Sequence, residues 1–197
     1  MSRVLIFILL LTGMAAAQAA VTVSVKLEGL DREQKKNVSA FLTIEQQRKA
    51  DDLTERRIRR YHNRAIQEIE TALQPYGYYQ PVIESSLEQD GDNWIARYVI
   101  DPGPPVIITG IDLLFEGPGR DDPLVTGVKE SLPIQIGEQL VHADYELAKT
   151  RFRAAAVNNG YRDARYLRSE VRVYREKNQA GIFLHLDTGK QAFFGPV

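Results

Sequence analysis

The chain has 197 residues, 44% of them hydrophobic, and its 25 basic and 26 acidic side chains leave a formal net charge of −1. This composition excludes a nucleic-acid-binding polycation and a disordered chain, and it indicates a globular protein with a packed core. The sequence contains no cysteine, so apolar packing rather than disulfide bonds must stabilise the fold.

The first residues predict a secretory signal peptide over residues 1–19. Arg3 supplies a positive start, residues 4–14 are continuously apolar, and Ala17-Gln18-Ala19 matches a signal-peptidase site. The apolar run is much shorter than the ~20 residues that a membrane-spanning helix needs, which disfavours an uncleaved anchor. We therefore expect the signal to be cleaved and the mature chain to be exported.

Residues 20–103 have the pattern of one βααββ unit, which begins with a strand and two helices. Apolar and polar residues alternate over 21–28, which predicts a half-buried strand. A modest helical pattern follows, and a stronger one repeats apolar side chains every three or four residues over 58–73. Thr54 is placed to cap this second helix.

Two further strands complete the unit, over residues 82–88 and 94–100, and Asp90-Gly91 between them favours a tight hairpin. In this order the last strand pairs with both others, so residues 82–88 lie on an outer edge. The edge carries two glutamates and has Pro81 only before it, which is light protection against another strand. We therefore predict a partner-binding edge formed by Val82, Ile83, Glu84, Ser85, Ser86 and Leu87; an edge covered by the neighbouring unit, or left in water, is the alternative.

The stretch LQPYGYYQP, residues 73–81, separates the long helix from that edge. Pro75 disfavours further helix, and Gly77 is suited to the left-handed conformation that closes one. Tyr78 or Tyr79 would then fold back onto the last turn. We interpret the stretch as a helix stop with core packing; a ligand cage and a docking surface are the alternatives.

Residues 104–189 repeat the order of the first unit. A strand (106–117), a weak helical segment (123–132), a helix (143–160) and two strands (164–174 and 181–187) follow in turn. The helix places Tyr145, Ala148, Phe152 and Ala155 on one face. Gly77 and Gly160, both predicted helix closers with positive φ, lie 83 residues apart. The fold class is therefore α+β, with tandem units that each pack a three-stranded mixed sheet on two helices, and residues 190–197 resemble the start of a third unit.

No catalytic motif stands out, and we expect neither an enzyme nor a bound cofactor or metal. The three histidines lie in separate elements, without a second histidine at metal-ligand spacing. A basic helix face carries the remaining charge signal and is formed by Arg56, Arg57, Arg60 and Arg64. It is either a solvated face or a docking patch for acidic protein segments or lipid head groups.

Several motifs, in order, resemble the periplasmic part of the TamA family, the outer-membrane subunits of translocation and assembly modules. These are VSVKLEGL, NVSAFLTIE, GYYQPVIE, PGPPVIITGIDLLFEG, NNGYRDARY and LDTGKQAFFGPV. The resemblance implies polypeptide-transport-associated (POTRA) domains that precede an outer-membrane β-barrel absent from this chain. It also implies a TamB-like partner anchored in the inner membrane, and unfolded outer-membrane proteins such as autotransporters as clients.

The main alternative is the POTRA region of a two-partner secretion transporter. That class places a plug helix and linker before its POTRA domains, whereas here the first strand directly follows the predicted signal. An inner-membrane scaffold with one such domain fits less well, because the unit repeats. An exported enzyme is the weakest hypothesis.

Overall fold

The computed structural model describes residues 21–192 and contains two three-stranded sheets. The predicted signal peptide lies outside the described residues, as do residues 193–197 of the predicted third unit. Within residues 21–192, no helix combines the length and the apolar character that crossing a bilayer requires.

The first unit has the predicted order of strand, helices and hairpin. Its elements are β1 (Thr22–Glu28), α1 (Arg32–Phe41), α2 (Thr43–Gln46), α3 (Glu55–Leu73), β2 (Val82–Asp90) and β3 (Asn93–Asp101). Strand β3 lies in the centre, parallel to β1 and antiparallel to β2. The short helix α2 is an addition to the two predicted helices.

The second unit repeats this arrangement. Its elements are β4 (Ile107–Glu116), α4 (Pro123–Thr126), α5 (His142–Asn158), β5 (Arg165–Tyr174) and β6 (Gln179–Asp187). The central strand β6 is parallel to β4 and antiparallel to β5. The weak helical segment is present as α4 and a 3-10 turn over Gly127–Ser131. The mixed α+β class is therefore confirmed.

Each sheet buries one face against its own helices, which gives two separate apolar clusters. In β3 the alternate residues Trp94, Ala96, Tyr98 and Ile100 are buried, as the period of two predicts. On α5 the prediction of Ala155 as a buried residue is wrong, because Ala156 is fully buried instead. The spacing Phe152 to Ala156 is four residues, which keeps the stripe on the sheet-facing side.

The helices differ in how they begin. Asp31 forms a reciprocal capping box with Gln34 at the start of α1. Thr54 caps α3 by accepting a hydrogen bond from the Arg57 amide at 3.4 Å, so the predicted cap is confirmed. Helix α5 follows Val141, whose side chain offers no acceptor to the first amides.

Candidate functional site

Strand β2 lies at an outer edge of the first sheet, as its place in the βααββ order predicts. It pairs with β3 in unbroken register over nine residues, and its other side faces no strand within residues 21–192. Val82 is 65% exposed, and Glu84, Ser85 and Glu88 are also exposed. The neighbouring unit therefore leaves this edge open.

The two faces of β2 have different chemistry. Ile83 and Leu87 point inward and pack against the first apolar cluster. The strand carries only acidic charges, from Glu84, Glu88 and Asp90. An extended segment that adds to this edge would gain backbone hydrogen bonds beside an acidic outer face.

The stretch 73–81 closes α3 and also joins the two units. Gly77 has φ 78°, so its predicted left-handed conformation is confirmed. Its carbonyl accepts a hydrogen bond from the Val106 amide at 2.8 Å. The side-chain amide of Gln139 donates to the Tyr76 carbonyl at 2.6 Å. The helix stop is therefore a hydrogen-bonded contact with the second unit.

The two adjacent tyrosines of this stretch divide between the units. Tyr78 packs against the first apolar cluster, whereas Tyr79 packs against the second. The Tyr79 hydroxyl lies 2.7 Å from Nε2 of His142, and Gln80 donates to the Arg175 carbonyl. Only one tyrosine folds back onto its own unit, and the other anchors the joint.

Burial sets the protonation states at this joint. It lowers the pKa of His142, an effect that nearby Glu146 opposes. It raises the pKa of Tyr79, which Arg175 partly offsets. A neutral imidazole and a protonated phenol favour a hydrogen bond in which the tyrosine hydroxyl donates to the histidine ring.

The predicted arginine patch is only partly available for docking. Arg57 forms an ion pair with Asp52, and Arg64 lies 3.9 Å from Glu68. Among the residues that the structure describes, no acidic group lies within ion-pair distance of Arg56 or Arg60, and both are exposed. These two residues are therefore the accessible cations of the patch.

The histidines have structural partners. His62 Nδ1 lies 2.9 Å from the Tyr98 hydroxyl, and His185 Nε2 lies 2.8 Å from Asp112 Oδ2. Burial lowers the pKa of His62. Over residues 21–192, no three His, Cys, Asp or Glu side chains group closely enough to hold a metal ion.

Sequence reasoning missed the joint, although it singled out the segment that forms it. The density of tyrosine, proline and glycine in 73–81 exceeds what a helix stop needs, and that was the available signal. The partners Gln139, Leu140 and His142 lie about 60 residues away in sequence. No local pattern links those residues to this stretch.

Comparison with known proteins places the first unit. Residues 24–102 match the family model described as "POTRA domain TamA domain 1". The match spans β1 to β3 and therefore includes the edge strand and the joint segment.

Solved structures of low sequence identity align with most of the chain. Haemophilus influenzae BamA POTRA3-5 is 12% identical, with a TM-score of 0.42, and the alignment covers 87% of this chain and 67% of that one. POTRA1-2 of Omp85 from Anabaena is 15% identical, with a TM-score of 0.38, over 88% and 96%. CdiB from Escherichia coli is 15% identical, with a TM-score of 0.33, over 89% of this chain and 29% of that one. On the match to the family model, residues 24–102 are a POTRA domain of the Omp85, BamA and TamA family.

Proposed function

We propose that this chain is the periplasmic scaffold of a TamA-like protein that assembles or translocates outer-membrane proteins. The observation that carries the proposal is the long, regular and exposed edge of β2. An unfolded client could add a strand there through backbone hydrogen bonds, which make little demand on sequence. The residues that would receive it are those predicted from the sequence, 82–87.

Two further features support this proposal. The family model that matches the first unit is a TamA model, and the second unit repeats its strand order, which we take as a second POTRA domain. The predicted signal peptide would deliver both units to the periplasm. Autotransporters and other outer-membrane proteins would be the clients, and a TamB-like protein anchored in the inner membrane the partner.

Proline substitution tests strand addition at β2. Outward-facing amides alternate along a strand, so only one of Ser85→Pro and Ser86→Pro should remove a donor that a client needs. We expect that variant to fold, as judged by circular dichroism, but to lose client assembly, whereas a photo-crosslinker at residue 84 in the otherwise unchanged protein traps client segments. Strand addition is wrong if neither proline affects assembly and the crosslinker traps nothing.

Charge reversal tests the arginine patch as the docking surface for the inner-membrane-anchored partner. The double variant Arg56→Glu, Arg60→Glu should fold normally, because neither side chain has an acidic partner within residues 21–192. It should bind the partner more weakly and with less salt dependence. Lys36→Glu with Lys49→Glu reverses two exposed cations elsewhere on the same unit and serves as the control. Equal loss in both double variants would mean a general charge effect rather than a docking patch.

A further inference from the structure

The second unit contains a groove between α5 and its edge strand β5. It has a volume of about 390 Å³. Ala154, Val157 and the ring of Tyr166 give it an apolar floor, and Lys149 and Arg153 stand along it. The groove is therefore an apolar surface bordered by cations.

Two hydrogen bonds hold the walls of this groove in place. The Tyr166 hydroxyl donates to the carbonyl of Lys149, and Nε of Arg153 donates to the carbonyl of Ala164 at 3.0 Å. These contacts tie strand β5 and the segment before it to the helix. The groove is pre-formed, which lowers the ordering cost that a ligand would have to meet.

The two cations retain capacity for a ligand. Arg153 uses Nε in the bond to Ala164, and in the described part of the chain no carboxylate lies within ion-pair distance of its guanidinium. Lys149 lies 3.2 Å from Glu146, whose side chain is 61% exposed. Such an exposed pair is weak and exchanges readily with another carboxylate.

The matching region of the first unit has the opposite charge. The 83-residue repeat places Glu70 at the position of Arg153, Thr71 at that of Ala154 and Ile83 at that of Tyr166. The adjoining strands differ in the same direction, because β2 carries three acids and no base, whereas β5 carries three arginines and one glutamate. The basic character thus belongs to the second unit and not to the repeat.

We propose that this groove binds an extended acidic peptide segment. Its apolar side chain would lie on Ala154, Val157 and Tyr166, and its carboxylates would pair with Arg153 and Lys149. Charge complementarity selects this occupant, because a basic segment would meet uncompensated cations on entering. The site extends the proposed polypeptide-binding function to a second surface, but it uses no residue of β2.

Binding of a defined peptide tests the proposal on the purified chain. The probe is a fluorescein-labelled, blocked peptide in which valine and glutamate alternate, and its counterpart replaces glutamate with lysine. Fluorescence anisotropy should show binding of the glutamate peptide that weakens with added salt, and much weaker binding of the lysine peptide. Equal binding of both peptides, or binding of neither at low salt, would overturn the proposal.

Matched variants locate the binding site. Ala154→Trp fills the groove without changing charge and should weaken binding of the glutamate peptide by at least ~10-fold, whereas Thr71→Trp at the matching place in the first unit should not. Arg153→Met should also weaken binding, and Arg153→Lys should retain most of it. If Ala154→Trp folds and binds normally, the peptide lies elsewhere and the proposal fails. The proline variants of β2 should leave this binding intact, so failure of the groove and failure of strand addition give different results.

Discussion

The edge strands β2 and β5 occupy equivalent places in the two sheets, yet they present different edges. Strand β2 keeps one register along its whole length, whereas β5 shifts between Tyr166 and Arg168 and leaves Leu167 51% exposed. A bulge and several arginines are common means by which proteins protect an edge from further pairing. The comparison suggests that the first unit offers its edge, whereas the second offers the groove behind its edge.

The same architecture therefore leaves room for a division of labour. Inward-facing positions are similar in both units because each must pack a sheet on helices. Outward positions are free of that constraint, and there the charge reverses from acidic on β2 to basic on β5. The predictions below compare matched positions, from the largest expected effect to the smallest.

The largest effect is expected where a glycine follows the first strand of each unit. Gly29 and Gly117 both have positive φ, but a Cβ at Gly29 would lie 2.0 Å from the backbone oxygen of Ile100. At Gly117 the nearest atom is a side-chain oxygen of Asp187, at 2.7 Å, which can rotate away. We expect Gly29→Ala to cost about 2–5 kcal/mol, the sum of backbone strain and overpacking, and Gly117→Ala to cost less. Urea unfolding followed by circular dichroism measures both, and an equal loss would contradict this account.

A smaller effect is expected at the two helix-closing glycines. A Cβ at Gly77 would lie 2.3 Å from the Leu140 oxygen of the second unit, and one at Gly160 would lie 3.0 Å from the Ala192 oxygen. The units can separate to relieve the first clash, so Gly77→Ala should cost only the backbone strain of about 1–2 kcal/mol. It should also open the joint, as seen by a fluorescence energy-transfer pair with one dye on each unit.

The control for this prediction is Gly91→Ala. Gly91 has φ 60° with no atom within 4 Å of the added Cβ, so it reports the backbone cost without a clash. Gly91→Ala should leave the energy transfer between the units unchanged. An unchanged joint in Gly77→Ala as well would mean that the segment 73–81 closes the helix without holding the second unit.

The capping of the long helices gives a reciprocal test of about 1 kcal/mol. Thr54→Val removes the cap of α3 and should destabilise the first unit by ~1 kcal/mol. Val141→Thr supplies α5 with a hydroxyl at the same place and should stabilise the second unit by up to ~1 kcal/mol. Trp94, the only tryptophan, reports the first unit in urea titrations, and circular dichroism reports both. A loss of stability in both variants would show that packing of the valine outweighs the cap.

Sequence reasoning captured the features that repeat locally. The period of two in 94–100 identified the buried face of β3, and glycine after a helical pattern identified both closers. The edge position of β2 followed from the order of elements alone. In each case the signal lies within a few residues of the structural feature.

The remaining features depend on distant contacts. The exchange of Ala155 for Ala156 arises because three consecutive alanines offer no side chain that fixes the helix face. The bulge at Leu167 carries no glycine or proline to mark it. The joint depends on how the second unit presents Leu140 to Gly77, which only tertiary packing decides.

The smallest predicted effect compares two histidine–tyrosine pairs, one inside the first unit and one across the joint. Burial lowers the pKa of His62 without an opposing charge, whereas Glu146 opposes the same effect at His142. Both folded pKa values lie below the ordinary 6.5, so the stability they support is complete above that pH. It is lost as the pH falls through the folded values, because protonation then favours the unfolded or undocked state.

Removing the opposing charge should separate the two pairs. Glu146→Gln should lower the pKa of His142 further and leave that of His62 unchanged, as followed by the imidazole proton resonances in a pH titration. The joint should then stay docked to a lower pH only if docking tolerates the charged ring. We expect instead that energy transfer between the units falls in step with protonation of His142, since the ring would lose its role as acceptor for the Tyr79 hydroxyl. A rise in the pKa of His142, or equal shifts at both histidines, would show that Glu146 does not act through its charge at the joint.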